Sequence, residues 1–158
     1  MKALISGTFD PITLGHLDII ERASKMFESV TVAICINGEK SSRFTPEQRK
    51  EMAQNACSHL ENVNVDICDG LLASYTEKNG ISVIVRGVRD VLDVSYEMSL
   101  ATINRSLHNN PDTVFIPSKP EYSHISSSYV REMIKYGERL DNALPASVIE
   151  YIKKNTTR

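Results

Sequence analysis

Short apolar runs alternate along the chain with longer stretches in which apolar residues recur every three or four positions. A strand covered on both faces reads as a continuous apolar run, whereas a helix buries a stripe with a period near 3.6. On that basis residues 2–6, 30–36, 63–67, 83–85 and 113–116 read as five strands. Leu17, Ile20, Ala23 and Phe27 are spaced as the buried stripe of a first helix. Thr45-Pro46-Glu47-Gln48 starts a second, with Thr as N-cap, Pro in the first helical position and Gln closing the capping box. That helix should reach about residue 58. A third covers 71–78 and stops at Asn79-Gly80. Asp90 opens a long fourth, on which Leu92, Tyr96, Leu100, Ile103 and Leu107 keep one face, and Asn109-Asn110-Pro111 ends it. Residues 117–124 form a polar loop, and 126–136 and 145–154 are closing helices.

Strand–helix alternation throughout implies an α/β fold with a parallel five-stranded sheet and helices on both faces. There is no internal repeat, low-complexity tract or linker, so residues 1–158 are expected to form a single domain. In such sheets ligands bind beyond the carboxyl ends of the strands. The loops after Ser6, Ile36, Ile67, Val85 and Ile116 should therefore line the site.

Composition narrows the function classes. The chain has 158 residues, 18 Lys+Arg against 20 Asp+Glu, and a net charge of -2. No run of basic residues exceeds two, which argues against nucleic-acid and anionic-membrane binding. The cysteines, Cys35, Cys57 and Cys68, are odd in number and lack a C-x-x-C, so neither a disulfide framework nor a zinc site is expected. Cys35 sits within an apolar run and reads as a small buried residue. Asp10 and Pro11 follow the N-terminus too soon for a signal peptide, and no apolar stretch approaches the ~20 residues of a membrane span. A cytoplasmic, reducing setting is the expectation, and the histidines are not grouped with carboxylates at metal-ligand spacing.

The densest chemistry lies in Gly7-Thr8-Phe9-Asp10-Pro11-Ile12-Thr13-Leu14-Gly15-His16, which leaves a strand and enters a helix. Gly7 and Gly15 let the backbone turn tightly and a ligand approach. His16 falls in the first helical turn, where unpaired N–H groups and the positive end of the dipole favour a phosphate. A glycine-bearing turn capped by Asp10 and Thr13 is the plain alternative. The full string resembles the T/HxGH signature of the nucleotidyltransferase superfamily, which has a Rossmann-like fold. Within it, the string is similar to the GTFDPxTxGH pattern of the phosphopantetheine adenylyltransferase family at every fixed position. The resemblance extends over nearly the whole chain.

Two further segments carry the likeness. Arg86-Gly87-Val88-Arg89 would by itself be a solvated turn, but two arginines around a glycine also suit bidentate grip on phosphates, and the segment resembles the family's RGxR. Ile125-Ser126-Ser127-Ser128-Tyr129-Val130-Arg131 would by itself be plain N-capping, and it resembles the superfamily's ISS(S/T)xxR. The resemblance implies that Arg86 holds an acceptor phosphate and that Gly87, Val88 and Arg89 bind ATP. It implies that Ser126, Ser127 and Ser128, with Ile125, hold the β- and γ-phosphates. Tyr122, Ser123 and His124 would border adenine, Glu97 would position the adenosine end, and Phe9 would belong to the nucleotide site. Lys40, with Arg43 three residues on, matches a family lysine that contacts phosphate. Thr8 matches a residue that touches both substrates. Leu72 lines the pantetheine arm on this reading, or is simply core.

The implied reaction is attack by the 4′-phosphate of phosphopantetheine on the α-phosphorus of ATP, with His16, Lys40, Arg89 and Ser127 carrying catalysis. A phosphate with a second pKa of ~6 is already largely a dianion at neutral pH, so no general base is needed. Mg²⁺ would accompany ATP without a dedicated cage. The resemblance also implies a homohexamer and feedback by coenzyme A. Two alternatives stay open: an adenylyltransferase for nicotinate mononucleotide, and a non-catalytic adenine-nucleotide sensor on the same fold.

Overall fold

Five strands, all parallel, form one sheet in the order β3-β2-β1-β4-β5 in a computed structural model that describes residues 1–36, 42–107 and 111–156. The strands are β1 (Lys2–Gly7), β2 (Ser29–Cys35), β3 (Val63–Cys68), β4 (Val83–Val88) and β5 (Asp112–Pro117). Between and after them run α1 (Leu14–Met26), α2 (Pro46–Cys57), α3 (Leu72–Asn79), α4 (Val91–Ser106), α5 (Ser127–Tyr136) and α6 (Ala146–Thr156). A short 3₁₀ turn, Pro120–Tyr122, interrupts the loop expected at 117–124. Thr45 and Gln48 make the reciprocal capping box read from the sequence, and Gly80 closes α3 in the left-handed conformation.

The chain builds outwards from β1 to β3, then returns to place β4 on the other side of β1. The winding direction therefore reverses between β1 and β4, where a crevice opens in sheets of this kind. Register shows how. β1 and β4 pair only through Ala3↔Val83, Leu4↔Ile84 and Ile5↔Val85. Beyond that, β1 continues beside β2 to Gly7↔Ile34, while β4 continues beside β5 to Val88↔Pro117. Residues 86–88 thus extend a strand that the sequence reading ended at Val85, because β5 supplies the backbone partners that β1 no longer does.

The two faces are covered unequally. Ile5, Val32, Ile34 and Val85 face a large core completed by Ile20 of α1, Met52 and Ala53 of α2, Val130 of α5 and Val148 of α6. The opposite face has a small cluster, Leu4, Ala33, Cys68 and Ile81, with Leu72 and Tyr75 of α3 against it. Helix α4 forms as the sequence reading expects but is left uncovered: none of its 16 residues is buried, and Leu92 and Tyr96 of its apolar face are 80% and 64% exposed. Periodicity identifies a face that needs cover but not what covers it. Cys35 corrects the sequence reading, because it ends β2 and is only partly buried. His59 lies on the surface, hydrogen-bonded to Glu21 at 2.9 Å. Among the described residues, no helix is long and apolar enough to cross a membrane.

Candidate active site

The turn after β1 is held by buried charges. Phe9 takes a positive φ of 47°, a conformation that few side chains tolerate, and its ring lies against Gly7, where a Cβ would come within 3.1 Å of it. The strained position is therefore Phe9 rather than either glycine, and Gly15 sits in regular helix. Asp10 is 2% exposed, and its carboxylate accepts the N–H groups of Arg43 and Phe44, both at 2.9 Å. It anchors the approach to α2 and leaves the capping of α1 to Thr13. Arg131 donates to the Asp10 carbonyl at 2.9 Å, and the Ser127 hydroxyl donates to the Pro11 carbonyl at 2.9 Å. Arg49, buried, donates from Nη1 to the carbonyls of Thr8 (2.7 Å) and Cys35 (3.2 Å). Arg49 escaped the sequence reading because a basic residue inside a helix looks like a solvated one until the fold buries it.

His16 enters the site from the first turn of α1. The Thr13 N–H donates to its Nδ1 at 3.1 Å, and Phe9 meets the imidazole edge-on at 5.0 Å between ring centres. Burial, and then the charges of Arg89 and Arg86, push its pKa from 6.5 down to about 4. The ring is neutral at physiological pH. With Nδ1 accepting a backbone N–H, the neutral ring carries its proton on Nε2. It is an N–H donor, not a cation or a base.

Both arginines of residues 86–89 are engaged by α4. Arg86 Nε and Nη2 each donate to Glu97 at 2.6 Å, and its Nη1 donates to the Ser6 carbonyl at 2.7 Å and hydroxyl at 2.8 Å. Arg89 makes the same fork with Asp93, at 2.8 and 3.1 Å, and this guanidinium holds the Asp93 carboxyl below the usual range. Asp93 and Glu97 are one helical turn apart, so one edge of α4 neutralises both cations. Neither guanidinium faces the cavity as bare charge, because each is paired with a carboxylate. The sequence reading missed Asp93, although its i,i+4 spacing from Arg89 was visible.

Two cavities meet at the Arg86–Glu97 pair. The first, about 300 Å³, occupies the crevice between β1 and β4 and is lined by His16, Arg86, Arg89, Tyr122, Ser126 and Ser127 among others. The second, about 290 Å³, lies towards α3 and α4 and shares Ser6, Arg86 and Glu97 with the first, adding Leu72, Leu100 and Asn104. A wide outer groove collects Ser42, Arg43, Ser128, Arg131 and Lys135. Over the first cavity the 117–124 segment is tied to α1. Lys119 Nζ lies 2.7 Å from the buried Asp18 carboxylate, and Arg22 donates to the Pro117 carbonyl at 2.7 Å. Tyr122 consequently rests on Gly15, where a Cβ would stand 3.5 Å from it.

Comparison with known proteins agrees with this architecture. Residues 4–133 match the family described as cytidylyltransferase-like. A phosphopantetheine adenylyltransferase of Symbiobacterium thermophilum is 45% identical over 145 residues, 92% of this chain and 90% of its own. One from Finegoldia magna is 43% identical over 153 residues, covering 97% and 94%, and one from Corynebacterium efficiens is 42% identical over 159 residues, covering 100% and 99%. The chain belongs to the phosphopantetheine adenylyltransferase family.

The residues that the family likeness singled out fall into three groups. Phe9, His16, Arg86, Gly87, Arg89, Glu97, Tyr122, Ile125, Ser126 and Ser127 converge on the first cavity, and Leu72 lines the second. Five others stand apart from the first cavity. Thr8 does not line it and its carbonyl accepts from Arg49; Val88 is buried; Ser128 belongs to the outer groove. Ser123 closes the 3₁₀ turn by donating to the Pro120 carbonyl at 2.9 Å, and His124 is exposed beside it. Lys40 lies outside the described residues.

Proposed function

We propose that this phosphopantetheine adenylyltransferase family member transfers the adenylyl group of ATP to 4′-phosphopantetheine, releasing pyrophosphate and dephospho-coenzyme A. One observation carries the reading: a neutral imidazole and two arginines face a cavity that adjoins a second, more apolar one across Arg86. That suits two anionic substrates brought end to end.

In this mechanism the nucleotide fills the first cavity, with adenine near Tyr122 and its outer phosphates at the N-terminus of α5, where Ser126 offers its hydroxyl and the first turn from Ser127 its backbone N–H groups. The pantetheine arm runs along Leu72 and Leu100, with its phosphate at Arg86 and, from the segment outside the described residues, Lys40. The acceptor phosphate attacks the α-phosphorus in line. Its second pKa of ~6 makes it a competent nucleophile without deprotonation by the protein. His16 Nε2–H and Arg89 donate to the oxygens that gain charge, and the serine helix steadies the departing pyrophosphate. Asp93 and Glu97 give up their guanidinium partners as phosphates arrive. Glu97 then stands near the adenosine end, as the family likeness implies.

ATP enters as its Mg²⁺ complex. The ion would be held by the phosphates and water and would supply counter-charge to them, as hard Mg²⁺ commonly does in nucleotide sites. Association into a homohexamer and feedback by coenzyme A belong to the same reading, with the uncovered α4 face as the contact surface. Pyrophosphate release decides: the chain with ATP should release it with 4′-phosphopantetheine and not with nicotinate mononucleotide. Release only with nicotinate mononucleotide would reassign the acceptor, and ATP binding with no release from either would make the chain a sensor.

A further inference from the structure

Two thiols meet on the sheet face that carries the second cavity. Cys35 ends β2, Cys68 ends β3, and the two are directly opposite in register. Paired residues on neighbouring strands project to the same face, and the strands lie about 4.8 Å apart. That spacing is within the ~4.4–6.8 Å Cα separation that a disulfide spans. The Cys35 thiol donates to the Ala33 carbonyl at 3.7 Å, beside Cys68. Cys68 is buried against Leu4, Ala33 and Ile81, while Cys35 is partly exposed beside them. Cys57 stands apart, buried in the larger core on the opposite face.

We propose that Cys35 and Cys68 form a reversible dithiol–disulfide pair, with Cys35 the attacking thiol and Cys68 the resolving one. The surroundings divide the roles. The neighbouring Cys68 is the strongest influence on Cys35, and Arg86, the Gly7 N–H and Arg49 add to its pull, so the Cys35 thiol is held at about 7 despite its burial. The neighbouring Cys35 and burial push Cys68 the opposite way. Such a division is what thiol exchange requires, because the thiolate is the nucleophile.

The oxidant is a small-molecule disulfide. The Cys35 thiolate attacks one of its sulfurs, and the other leaves as a thiolate. Cys68 then loses its proton and attacks the Cys35 sulfur, expelling the second small thiolate. The two protons from the protein end on the two small thiols, so the chain loses two hydrogens and the oxidant becomes two thiols. Parallel strands aim the Cβ vectors side by side instead of at each other, a departure from relaxed disulfide geometry that favours reduction when the oxidant is withdrawn. A transient bond of this type suits a reducing compartment. Its place matters, because Cys68 leads through Asp69 to the Gly70-Leu71-Leu72 lip of the second cavity, and Arg86 bears on Cys35.

The test is chemical and independent of any turnover assay. The full-length chain is incubated with glutathione disulfide, quenched in acid and weighed intact. The expected product is lighter by two hydrogens and keeps one titratable thiol of the three, Cys57. Peptide mapping should join residues 35 and 68, and dithiothreitol should restore the starting mass. Cys68→Ser should stop at a glutathione adduct on residue 35, and Cys35→Ser should leave residue 68 unmodified. Three persisting thiols, a stable glutathione adduct on Cys35 of the unaltered chain, or a bond to Cys57 would each overturn the proposal. Mapping of the unaltered chain decides the matter even where a serine variant fails to fold.

Discussion

Burial, and then the two arginines that share its cavity, depress the pKa of His16, and a ring that no longer takes up a proton at neutral pH can still give a hydrogen bond. In the proposed mechanism its value is concentrated in the transition state, where charge grows on the phosphate oxygens. Loss of one such donor typically costs about 10²–10³ in rate. His16→Ala should therefore lower turnover by that order while leaving the dissociation constant for ATP, measured by calorimetry, nearly unchanged. Equal losses in both would reduce His16 to a binding residue. The same shift has a consequence for stability. Between pH 6.5 and about 4 the unfolded chain binds a proton at residue 16 that the folded chain refuses. Unfolding is thus favoured as pH falls through that window, by up to about 3 kcal/mol at ~1.4 kcal/mol per pKa unit. Denaturant midpoints at pH 7 and 4.5 should differ less for His16→Asn than for the unaltered chain, and an identical pH response in the two would remove His16 as the source.

At the scale of elements, the strap from β5 to α5 sets the shape of the first cavity, where the nucleotide is proposed to bind. Asp18 is 5% exposed and ion-paired to Lys119 and Arg22, which fixes the strap to α1 and settles Tyr122 over Gly15. Asn in its place keeps the volume but not the charge, so the strap loosens without a cavity forming in the core. Asp18→Asn should raise KM for ATP several-fold and leave kcat within about twofold, since the donors to the α-phosphate stay in place. A fall in kcat with KM unchanged would show that the strap acts on chemistry and not on nucleotide capture. This network was hidden in the sequence for a physical reason. The strands, the Thr45 cap and the ligand end of the sheet are local or periodic features, so residues 30–36 and Thr45-Pro46-Glu47-Gln48 could be read directly. His16 and the arginines were legible because a motif carried them. Asp18–Lys119, Asp10 to the Arg43 and Phe44 amides, and Arg49 to Thr8 all join residues distant in sequence, and only closure of the fold brings them together. The positive φ at Phe9 belongs with them, because it exists only where such anchors hold the turn.

For the whole molecule, the unequal covering of the two sheet faces places the surface proposed for assembly beside the candidate active site. Helix α4 leaves Val91, Leu92, Tyr96, Met98 and Ile103 largely exposed, a larger apolar surface than scattered single residues would give. The same helix carries Asp93 and Glu97, which set the resting positions of Arg89 and Arg86. Little in the chain itself packs on α4, so a neighbouring copy seated on the apolar face would fix the acids, and through them the arginines. Leu92 tests the link without touching the site: it is 80% exposed and lies outside both cavities. Leu92→Glu places a charge in the proposed contact, where an unpaired charge is costly to bury, yet removes little from the fold of a single copy. Light scattering should show the unaltered chain as an assembly and the variant as a smaller species with unchanged circular dichroism. Turnover should fall with dissociation and recover as protein concentration is raised. A chain that is monomeric at micromolar concentration, or a dissociated variant with full turnover, would separate assembly from catalysis.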